Sequence, residues 1–125
     1  MSVLSAFNNQ ITNLSNNLHE MYPDDPDISF STSAIQALKK ANPRKLHELF
    51  KGHILKYESY IINEDNDFFI NYNFIEDNMD SIGTNTCYAE SIMGNLQKYW
   101  KNMDIESRNN IWKYLKVLVI LNKQI

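Results

Sequence analysis

The side chains available for chemistry in this sequence are one cysteine, three histidines, 15 acids and 12 bases. Cys87 could act as a nucleophile if a helix N-terminus or a nearby base lowered its pKa. It falls where a helix is expected to start, but no histidine is placed beside it by spacing, and the ordinary role of such a residue is packing. His19, His47 and His53 make no metal pattern. His47 and His53 point to different helix faces, and a single cysteine cannot complete a zinc set. Gly52, Gly83 and Gly94 are too scattered to cradle a phosphate. The acids of Asp24-Asp25-Pro26-Asp27 invite calcium, yet the glycine and closing glutamate of an EF-hand are missing, which leaves a solvated connector. The residues therefore supply no catalytic set, no cofactor site and no metal site.

One cluster does suit a ligand. Lys39, Lys40, Arg44 and Lys45 gather around a turn at which Pro43 opens a helix, and a helix N-terminus beside cations attracts anions. An acidic protein partner would fit this patch, and so would nucleic acid. Against nucleic acid stand a pI near 5.5 and a content of two arginines.

Charge along the chain alternates. Residues 1–38 carry −4, 39–58 carry +4, 59–97 carry −7 and 98–125 carry +4, for a net −3. Such blocks can neutralise one another between packed segments or leave a basic face open to an acidic partner. A lone cysteine gives no intrachain disulfide, and residues 1–10 lack the basic start and apolar block of a signal peptide, so an intracellular, reducing location is expected. The 17 asparagines among 125 residues suit an AT-rich coding source.

These residues must be positioned by helices. Leu4, Phe7, Ile11, Leu14, Leu18 and Met21 alternate in steps of three and four, the seam of an amphipathic helix over residues 4–21. That seam has two destinations, the domain's own core or a partner. Prolines 23 and 26 stop it. A second helix is expected from Ser31–Ser33, with Ser33 and Gln36 as a capping box, to Ala41. Asn42-Pro43 then caps a third to about Ile62, with Leu46, Leu49, Phe50, His53, Tyr57, Tyr60 and Ile61 inward. Residues 64–67 and 76–85 read as loops, and 68–75 as a short helix or irregular segment carrying packed rings. A fourth helix spans about 86–102, burying Tyr88 or Ala89, Ile92, Leu96, Tyr99 and Trp100, and Gly94 allows a close approach. Asp104 caps the last helix, whose inward face is expected to start at Ile105 and pass through Ile111, Trp112, Leu115, Leu118 and Val119. Its nearly unbroken apolar end wants enclosure, and Lys113 and Lys116 exclude a membrane span. The fold expected is all-α, a single-domain bundle of about five helices over residues 1–125 with a buried C-terminal helix.

Tyr22-Pro23-Asp24-Asp25, Asn42-Pro43-Arg44, Phe68-Phe69 and Ile111-Trp112-Lys113-Tyr114-Leu115, taken in order, cover nearly the whole chain. Together they resemble the skeleton of small helical proteins of nucleocytoplasmic large DNA viruses, the mimivirus-like group. The resemblance implies a shared fold and a virus-infected cell as source, in host cytoplasm or virion, and assigns no role to named residues. The expected function is that of a non-enzymatic viral accessory or structural protein working through protein-protein contact, as a homo-oligomer or a small part of a larger assembly. The alternative is a nucleic-acid-associated factor using the basic turn.

Overall fold

A computed structural model describes residues 2–71 and 87–125, with backbone only for Phe69, Asn71 and 87–93. Among the described residues six helices occur and no strand: α1 Val3–Met21, α2 Pro26–Ala41, α3 Pro43–Ile62, α4 Asn66–Asn71, α5 Cys87–Trp100 and α6 Ile105–Gln124. They pack as a single bundle in which α6 lies on α1 and α3 while α2 touches α1, α3 and α5. The expected loop at 76–85 and residues 72–75 lie outside the described residues, as do the side chains of Tyr88, Ala89 and Ile92.

The seam of α1 goes inward. Ser2 Oγ caps the helix by accepting from Ser5 N at 3.0 Å, and Phe7, Ile11, Leu14 and Leu18 are at most 2% exposed in the core. The partner-facing alternative for these four is thereby corrected: they are consumed by α1's own neighbours. Leu4 is half-buried at the rim.

Helix α2 begins at Pro26, well before Ser31–Ser33. Asp25 is its cap, accepting from Asp27 N at 2.9 Å and Ile28 N at 3.3 Å, and Pro26 takes the first helical position, where its missing N–H costs nothing. Ser31 and Thr32 are instead buried inside the helix. Thr32 Oγ1 lies 2.7 Å from Ser15 Oγ across α1. Gln36 makes no capping box; its Nε2 donates to Asn16 Oδ1 at 2.9 Å. Asn42 alone links α2 to α3, its Oδ1 accepting from Lys45 N at 3.2 Å.

Helix α3 buries Leu46, Leu49, Phe50, Ile54, Tyr57 and Ile61, whereas Tyr60 is partly exposed and stacks on Phe68 of α4 at 4.6 Å. The chain then turns at Glu64, whose φ of 50° is the left-handed conformation, and Glu64 is held there by an ion pair with Lys116. Trp100, fully buried, meets Trp112 edge to face at 5.2 Å and donates Nε1–H to Asn66 Oδ1 at 3.1 Å. Arg108 donates to the carbonyls of Trp100 and Lys101, closing the C-terminus of α5, where a cation also suits the helix dipole.

Helix α6 is capped by Asp104 as expected, but one face only is covered. Ile111, Trp112, Leu115, Leu118 and Val119 are buried, while Ile105 is 75% and Ile120 56% exposed. The C-terminal helix is therefore a wall of the core rather than an enclosed axis. At Gly94 a built Cβ meets nothing within 4 Å among the described residues.

Two stability measurements follow from this packing. Trp112→Ala should cost about 3–5 kcal/mol in urea unfolding, the range of a buried large-to-small change; a wild-type midpoint would contradict its place in the core. Gly52 is exposed in α3 with open space around a built Cβ, so Gly52→Ala should raise stability by up to about 1 kcal/mol, read from the same midpoint.

Candidate functional site

The basic turn is where the chain puts cations and leaves them open. Lys39 is half-buried and Lys40, Arg44 and Lys45 are exposed around the Asn42 link. The turn is pinned from below by Asn8, buried in α1, whose Nδ2 donates to Pro43 O at 2.9 Å. Lys39 and Lys40 stand in the last turn of α2, where the helix dipole favours them. Arg44 and Lys45 stand in the first turn of α3, which holds no acid, against the dipole. Among the described residues, no carboxylate lies within ion-pair distance of any of the four. Elsewhere three lysines are paired: Lys98 meets Asp25 at 2.7 Å, Lys123 meets Glu58 at 3.2 Å and Lys116 meets Glu64.

Beside the turn runs a groove of about 550 Å³. Arg44, Glu48, Lys51 and Leu55, spaced four, three and four along α3, form one wall; Leu4 of α1 and Ile125 beyond α6 contribute to the other. Leu55 and Ile125 are exposed there. The floor is fixed by His47, which contacts the edge of Phe7 at 4.7 Å and lies 2.9 Å by Nε2 from Asn122 Oδ1. Asn122 in turn donates to Lys51 O at 3.3 Å. The result is a half-apolar trough whose α3 rim carries Arg44 and Lys51 with Glu48 between them.

The remaining reactive residues stay apart. Cys87 lies in α5, and its side chain lies outside the described residues. His19 is half-buried on α1, and the His53 ring lies 6.2 Å from that of Tyr57. Among the described residues no group of three or more His, Cys, Asp or Glu could hold a metal ion.

A second polar cluster was not anticipated from the residues. The acidic connector is not wholly solvated: Asp25 is buried, and beyond its two capping bonds its Oδ2 accepts from Lys98 Nζ at 2.7 Å and from Tyr99 OH. These donors, Lys98 first, hold the carboxyl far below the usual carboxylate range. The hydrogen bond to Asp25, followed by burial, pushes the Tyr99 phenol up, and burial together with the Asp104 charge raises Tyr22. The Tyr22 and Tyr99 rings stack at 3.7 Å and 9°. A carboxylate accepting four bonds has no free lone pair suited to a base, and a phenol held protonated is no nucleophile. The cluster clamps the α1–α2 corner to α5. Asp25-Pro26 as a cap-and-first-turn pair was the signal in the sequence; Lys98 and Tyr99 carried none.

The chain matches no protein-family model, no curated protein and no solved structure. No helix among the described residues is long and apolar enough to cross a membrane.

Because the folded carboxyl of Asp25 titrates below its unfolded value, its stabilisation is complete well above pH 4 and fades as pH falls through and beneath the ordinary carboxyl range. Asp25→Asn keeps a capping oxygen but loses the charge facing Lys98. It should lower the melting temperature at pH 7 by on the order of 5 °C, with the gap to wild type closing toward pH 2. Equal melting at pH 7 would show that the clamp contributes nothing.

Proposed function

We propose that this chain is a non-enzymatic interaction module whose basic edge, Lys39, Lys40, Arg44 and Lys45 with the adjoining groove, receives an acidic segment of another protein. The observation that carries this reading is that four cations gather at the α2–α3 turn and none of them meets a carboxylate among the described residues, whereas Lys98, Lys116 and Lys123 are each spent on an internal acid. An acidic amphipathic helix would lay its apolar side on Leu4, Leu55 and Ile125 and its carboxylates on Arg44 and Lys51. The resemblance to small proteins of large DNA viruses extends the proposal to a viral accessory or structural role in host cytoplasm or virion, within a larger assembly.

Nucleic acid is the second reading, favoured by the first turn of α3, where Arg44 and Lys45 flank an anion-attracting helix end. Protein is preferred because the groove is half apolar and one of the two arginines, Arg108, is spent on carbonyls of the α5 terminus.

Affinity capture of the tagged protein from its native cells, with and without nuclease, separates the two. Defined proteins should persist through nuclease and be lost when Lys39, Lys40, Arg44 and Lys45 are all replaced by Glu. Recovered material that leaves with nuclease would overturn the protein reading in favour of the second.

A further inference from the structure

The α3 wall of the groove is not uniformly basic. Arg44, Glu48, Lys51 and Leu55 line it and all four are exposed, so the wall presents a cation, an anion, a cation and an apolar residue in turn. Glu48 lies one helical turn from Arg44 and one from Lys51, the spacing at which side chains on a helix face can pair. Yet none of the three has an ion-pair partner among the described residues. A guest acidic along its whole length would gain at Arg44 and Lys51 and be repelled between them.

We propose that Glu48 selects the partner, so that the groove takes a helix carrying a basic residue between two acids rather than an unbroken acidic run. The inference rests on the basic-edge reading and deepens it. The spacing of the wall makes the occupant helical. Measured from Arg44 along the axis, Glu48, Lys51 and Leu55 lie about 6, 10.5 and 16.5 Å away. In an extended chain, at about 3.3 Å per residue, those distances correspond to two, three and five residues, which fall on opposite faces. A helix repeats the steps of four, three and four on one face. Laid antiparallel to α3, the guest brings the negative end of its dipole to the positive end of α3. In its own chain direction the guest then reads as an apolar residue, an acid four positions on, a base three further and an acid four beyond that. His47 and Asn122 tie α3 to α6 beneath this wall, so the four positions are presented on a fixed helix.

Fluorescence anisotropy with two synthetic helical peptides, titrated with the full chain at low salt, tests this. Both peptides carry the apolar residue and the two acids at the stated spacing. They differ at the position facing Glu48, where one has lysine and the other glutamate. Wild type should bind the lysine peptide about fivefold more tightly, the size of an exposed opposite-charge contact exchanged for a like-charge one. Glu48→Lys should reverse that preference and Glu48→Gln should abolish it, with circular dichroism unchanged in both variants. Equal binding of the two peptides by wild type, tighter binding of the glutamate peptide, or a preference that Glu48→Lys leaves in place would overturn selection by Glu48 while the basic edge stands. Binding of neither peptide, or binding undiminished when Arg44→Glu and Lys51→Glu are combined, would remove the basic-edge reading and this inference with it.

Discussion

A carboxylate taken out of water costs several kcal/mol unless donors replace the solvent, and among the described residues Asp25 is the buried side chain with a formal charge. Its four donors come from the start of α2 and from Lys98 and Tyr99 near the end of α5. Satisfying it therefore fixes where α2 begins and which helix closes the corner behind it. Once that corner is set, α2 runs to Ala41 with Ile28 and Ile35 inward, and the one-residue Asn42 link leaves α3 little choice of origin. The position of the basic turn and that of the groove beside it both descend from this arrangement.

Much of the fold was legible because period and caps agreed. The steps of three and four in α1, the Asn42-Pro43 start of α3 and Asp104 before α6 each pair a local cap with a buried stripe, and the structure has all three. The start of α2 was misread because proline is ambiguous: it ends one helix and occupies the first turn of the next, and Asp24-Asp25-Pro26-Asp27 contains both uses within four residues. The end of α6 was misread for a different reason. Val117 and Ile120 are apolar like their buried neighbours Leu118 and Val119, and composition cannot say which side of a helix another helix will cover.

The candidate site divides along the same line. The basic turn is contiguous in sequence, so Lys39, Lys40, Arg44 and Lys45 could be read together without coordinates. The groove could not, since Leu4, Lys51, Leu55 and Ile125 come from three parts of the chain. Nor could the Asp25 clamp, whose partners are more than seventy residues away. The α1 seam shows the converse: a correct helix whose apolar side was open to two destinations, of which the core claimed all but Leu4.

Alternating charge blocks can mean internal neutralisation or an open surface, and here they mean both in different places. Lys98, Lys116 and Lys123 each meet an acid from another element. Such pairs contribute roughly 0–1 kcal/mol each where exposed, so pairing alone adds little to stability. The basic turn is more telling because it runs against stability: Arg44 and Lys45 face the positive end of the α3 dipole, an unfavourable placement of roughly 0.3–1 kcal/mol per charge. An anionic group docked at that turn would reverse the sign of both placements, drawing on the helix end and the cations together. The arrangement is unfavourable in the free protein and would turn favourable with an anion bound, which is the physical support for the binding edge proposed above.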